Sequence, residues 1–78
     1  MKIEYYKKKM EDLGFAVFVG RNEIEVIDVD FGTIAIIAND IEMQMSNNFH
    51  WWYKLDDDIK KIVFKLSSEL TMTRISDR

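Results

Sequence analysis

Phe15-Ala16-Val17-Phe18-Val19, Glu23-Ile24-Glu25-Val26-Ile27-Asp28-Val29 and Thr33-Ile34-Ala35-Ile36-Ile37-Ala38 follow one another with three residues between each pair. Each run is rich in the β-branched and aromatic side chains that suit a pleated surface. Gly20-Arg21-Asn22 and Asp30-Phe31-Gly32 separate them and carry turn-forming residues. Connections this short force neighbouring strands to run antiparallel, because a parallel pair needs a crossover of a dozen or more residues. Strands are therefore predicted over 15–19, 23–29 and 33–38. After the break at Asn39-Asp40, Ile41-Glu42-Met43-Gln44-Met45 alternates once more and predicts a shorter fourth strand.

Amphipathic patterns flank this meander on both sides. Ile3, Tyr6, Met10 and Leu13 recur at helical spacing among lysines and acids, so residues 2–13 read as a helix. Gly14 follows as the stop, since glycine accepts the left-handed conformation that closes many helices. Farther on, Asp56 is placed to cap a second helix, and Asp57 and Asp58 fall where the helix dipole favours negative charge. Ile59, Ile62, Val63, Leu66 and Leu70 then form one face as far as about Thr71, with Phe64 beside it. The polar tail 73–78 is expected to fray. The predicted architecture is a two-layer α+β domain of order α-β-β-β-(β)-α, both helices covering one face of an antiparallel meander of three to four strands.

Composition bounds what such a domain does. The 78 residues suit one domain, 1–78, near the lower limit for a single unstapled core. No cysteine is present, which removes disulfides and thiolate metal sites. No apolar run approaches the roughly 20 residues of a membrane span, and the first residues lack a secretory pattern. A cytoplasmic protein is expected. The net charge of −3 is unevenly spread: residues 21–58 hold nine acids against Arg21 and Lys54, and both ends are basic.

Phe49-His50-Trp51-Trp52-Tyr53 holds both tryptophans and the only histidine. Such a cluster is either part of a small core or a contact surface, since aromatics dominate binding hot spots. From an extended segment one tryptophan is expected inside and its neighbour outside. Phe49, Trp51, Trp52 and Tyr53 are accordingly the candidate partner-binding residues. His50 has no second histidine and no cysteine to complete a metal set, and consecutive aspartates at 56–58 fit capping better than a cation loop. No nucleophile elbow and no glycine-rich phosphate loop occurs. No cofactor and no catalytic residue is expected, and the chain reads as a non-enzyme.

The opening helix ending Leu13-Gly14-Phe15, the short meander, the Leu55-Asp56-Asp57-Asp58 helix start and the tail with Thr73, Ile75 and Arg78 resemble small uncharacterised phage and prophage proteins of Gram-positive bacteria. Arg74 departs from the proline such a tail would carry. The resemblance implies a bacterial cytoplasmic setting and an accessory role without established chemistry. Protein–protein interaction, with another protein or with a second copy as a homodimer, is the expected function. A nucleic-acid module using the aromatics with Lys7, Lys8 and Lys9 is the first alternative, although three consecutive lysines diverge by about 100° each around a helix. An acidic mimic that occupies a DNA-binding partner is the second.

Overall fold

The computed structural model describes residues 1–47 and 50–78. Helix α1 (Ile3–Asp12) leads into strands β1 (Phe15–Val19), β2 (Glu23–Asp28), β3 (Gly32–Ala38) and β4 (Met45–Ser46). A 3₁₀ turn (His50–Lys54), helix α2 (Asp57–Met72) and a last 3₁₀ turn (Ile75–Asp77) complete the chain. The strands form one antiparallel sheet in the order β1-β2-β3-β4. The α+β meander flanked by two helices is thus the fold of this protein.

Local rules account for most boundaries. Gly14, at φ +94°, closes α1 in the left-handed conformation, and its N–H donates to the Glu11 carbonyl at 2.9 Å. Asp56 occupies the N-cap position of α2, with Asp57 and Asp58 in the first turn, but its side chain makes no cap hydrogen bond. The dipole, not a side-chain cap, is what these acids serve.

Strand alternation divides the sheet into two faces. The inner face carries Phe15, Val17, Ile24, Val26, Ala35 and Ile37, all buried, and meets Tyr6 and Met10 of α1 and Val63 and Leu70 of α2. Ile34 is buried beside Ala35 although they are sequence neighbours. The register explains this: Val26 pairs with Ala35 but Ile27 pairs with Thr33, so Ile34 is the extra residue of a bulge.

Three expectations are corrected. The fourth strand is not 41–45 but only Met45–Ser46. Ile41, Glu42 and Met43 are drawn instead to the end of α2, where the Met43 N–H donates to the Thr71 carbonyl at 2.8 Å, with Met43 at φ +64°. Helix ends leave carbonyls without partners, and this loop supplies one of the missing donors. The buried stripe of α2 is also rotated. Ile62 stays exposed, whereas Ser67 and Thr71 are buried. Ser67 faces α1, sharing a 2.7 Å hydrogen bond with the Tyr6 hydroxyl, and the Thr71 hydroxyl donates to the Gln44 carbonyl. Finally, the tail is held down. Arg78 donates from Nε to the Thr73 carbonyl, from one terminal nitrogen to Ala38 and from the other to Thr71. Partial burial lowers the Arg78 pKa, with Glu42 acting the other way.

Candidate functional site

The aromatic segment folds as a 3₁₀ turn, not as an extended lead-in. Successive side chains then diverge by about 120°, and the two tryptophans find different neighbours. Trp52 points under the sheet into a narrow crevice with Ala35, Ile37, Met45, Val63 and Ser67. Trp51 stacks on Phe31 of the β2–β3 turn, ring centroids 4.8 Å apart and planes 20° apart. The His50 and Trp51 rings pack in a T-shaped arrangement, centroids 4.7 Å apart and planes 76° apart. Both tryptophans are half-buried, so the division into one inside and one outside is corrected.

Gly32 makes this packing possible. It sits at φ +141°, and a Cβ there would lie 3.3 Å from Cδ1 and Nε1 of Trp51. Gly32 pairs with Asp28, whose alternation places it on the inner side, so the Trp51 turn lies on the same side of the sheet as the helices. Phe31 covers one face of the indole yet remains 57% exposed, and Val29, two residues earlier in the same turn, is 71% exposed. Asp30 tightens the same turn by donating its N–H to the Asp28 carboxylate at 3.0 Å. The result is an exposed apolar patch at the β2–β3 turn, bordered by Asp28 and Asp30.

The sheet's outer face is a separate surface. Its rows are Ala16–Ile27–Thr33, then Phe18–Glu25–Ile36–Ser46, then Glu23–Ala38. Phe18 is exposed, and the Thr33 hydroxyl donates to the Glu25 carboxylate across the strands. A shallow depression of about 310 Å³ lies where Glu23, Ile36, Ala38, Asp40, Gln44 and Ser46 meet. The Glu23 and Asp40 carboxylates and the Ser46 hydroxyl are the polar groups that border it with Asn22 and Gln44.

Of the residues singled out from sequence, Trp51 and Trp52 are brought together as neighbours on different supports, and Tyr53 is exposed beside them. Phe49 lies outside the described residues. Lys7, Lys8 and Lys9 are all exposed around α1, with the Lys9 ammonium 5.4 Å above the Tyr5 ring rather than aligned into one track. Sequence reasoning missed Phe31 and Val29. The available signal was a large aromatic inside a turn, between Asp30 and Gly32, where a two-faced sheet offers it no interior.

Among the described residues no group of three or more histidines and acids is placed to hold a metal ion, and no helix is long and apolar enough to cross a membrane. No family model, no curated protein and no solved structure matches this chain.

Proposed function

We propose that this protein is a small non-enzymatic accessory protein, of the phage or prophage kind its sequence resembles, that acts by binding another protein. The contact surface is the patch formed by Val29, Phe31 and Trp51, with His50 and Tyr53 beside it. One observation carries the reading: Phe31 is stacked on Trp51 and still more than half exposed. A fixed aromatic surface meets a partner without the ordering cost that a mobile one would incur. Rigid aromatics of this kind are the residues that anchor interfaces. Asp28 and Asp30 at the border favour a partner that presents an apolar side chain flanked by basic ones.

The test uses the immobilised chain as bait, wild type beside Phe31→Ala and Val29→Ser, with circular dichroism to establish that each variant is folded. A partner held by the wild type and bound about tenfold more weakly by Phe31→Ala supports the proposal. Equal retention by folded variants overturns it. An oligonucleotide shift at low salt that fades as salt rises would replace it with nucleic-acid binding.

A further inference from the structure

The two edges of the sheet are treated differently. β4 is two residues long, and the loop before it is tied to the end of α2 through Met43 and to Ile75 through Glu42. β1 is five residues long, Phe15-Ala16-Val17-Phe18-Val19, with no charge, proline or bulge, the devices by which exposed edges are normally blunted.

The register tells which backbone groups lie on that edge. The Gly20 N–H donates to the Glu23 carbonyl, so Gly20 and Glu23 form a hydrogen-bonded pair. Such pairs alternate along an antiparallel ladder. Ala16 and Phe18 therefore turn their backbone groups to Ile27 and Glu25 of β2, and Phe15, Val17 and Val19 turn theirs outward. The Asn39 N–H to Asn22 carbonyl bond gives β2 the matching phase on its other side. Among the described residues no backbone hydrogen bond from another element reaches the outward groups of β1.

We propose that two copies of this chain pair antiparallel through β1, about a two-fold axis at Val17, to make one continuous eight-stranded sheet. In that register Val17 meets the second copy's Val17, and Phe15 meets its Val19 twice over. These three pairs use every outward N–H and C=O of the edge, two hydrogen bonds to a pair. On the outer face, Phe18 of each copy falls opposite Ala16 of the other, a large ring over a small side chain at the closer type of pair. Phe18 and Val19, now 61% and 46% exposed, are both covered.

Charge selects the antiparallel sense. β1 is preceded by Glu11 and Asp12 and followed by Arg21, all exposed. Antiparallel pairing brings each Arg21 toward the other copy's acids at both ends, whereas parallel pairing would set like charges together. β3 is also uncharged but lies between β2 and β4, and β4 is only two residues long, so β1 is the one long neutral strand at an edge of the sheet. An edge of five residues is short, so the dimer is concentration-dependent.

The pairing does not rest on the Phe31–Trp51 surface, which contacts β3 and is separated from the β1 edge by β2. Sedimentation of the full chain should show a mass rising from 9.3 kDa toward twice that value with concentration. Hydrogen exchange should show the Phe15, Val17 and Val19 amides becoming protected over the same range. Val19→Pro removes an outward donor from each copy and no β1–β2 bond, and should raise the dimer dissociation constant at least about tenfold. Phe31→Ala should leave it unchanged. A chain that stays monomeric to millimolar concentration overturns the proposal, as does a dimer whose three amides exchange freely. If Val19→Pro does not fold, the wild-type exchange pattern decides, and Arg21→Glu should weaken the dimer while Arg21→Glu with Asp12→Arg restores it.

Discussion

Replacing Tyr6 by Phe tests how the two helices are held in register. The Tyr6 hydroxyl and the Ser67 hydroxyl share a 2.7 Å hydrogen bond 61 residues apart in sequence, with Tyr6 fully buried and Ser67 1% exposed. Neither hydroxyl has water to turn to when the other is removed. A buried polar group left without a partner costs about 1–3 kcal/mol. For Tyr6→Phe the expected loss is about 1–2 kcal/mol, because Ser67 can partly recover by bonding back to its own helix. For Ser67→Ala it is similar: the stranded phenol is the larger penalty, offset in part by alanine's better helix propensity. The double variant removes both polar groups and should cost about 1 kcal/mol, well below the sum of the singles. Urea unfolding followed by fluorescence of Trp51 and Trp52 measures all four proteins, and at this chain length each kcal/mol shifts Tm by about 4–8 °C. A coupling within about 0.5 kcal/mol of zero, or single variants as stable as wild type, would refute the argument that this bond is sealed from solvent.

Burial pushes the Tyr6 hydroxyl up from 10.0 to about 12, with the Ser67 hydrogen bond acting the other way. Above pH 10 the unfolded chain releases this proton while the folded chain keeps it, so stability falls between about pH 10 and 12, by about 3 kcal/mol for the full shift; a tyrosinate absorbance titration should show one late phase that Tyr6→Phe abolishes. Gly14→Ala, at φ +94° with nothing within 4 Å, should cost about 1 kcal/mol from backbone strain alone. Gly32→Ala adds the 3.3 Å encounter with the Trp51 indole and should cost about 2–3 kcal/mol, with a shift in tryptophan emission that Gly14→Ala lacks. Arg78→Ala removes donors from the Ala38, Thr71 and Thr73 carbonyls and should cost about 1–3 kcal/mol in thermal unfolding, whereas Arg74→Ala, on an exposed side chain, should be nearly neutral.

The candidate surface was only partly legible in the sequence. The concentration of aromatics at 49–53 singles out Trp51, which stacks on Phe31. Phe31 lies eighteen or more residues away in sequence from the cluster, and periodicity carries no information about that distance. The aromatic segment and the uncovered outer face lie on opposite sides of the sheet, because Gly32 admits the indole on the helix side.

What the sequence determined by itself was the order of elements and their pairing. Runs of period two joined by three-residue turns allow only a meander, and apolar residues three and four apart allow only helices that lie on it; these are local rules, expressed within a few residues. What the tertiary structure decided was every choice between distant partners. Ser67 is buried in place of Ile62 because α2 must offer a hydrogen bond to Tyr6. Residues 41–43 leave the sheet because the end of α2 has carbonyls that need donors, and Arg78 binds the tail for the same reason. Both tryptophans are half-buried because a 3₁₀ turn aims them at different supports. Satisfying buried polar groups and filling space are conditions on the assembled whole, which no stretch of sequence can state alone.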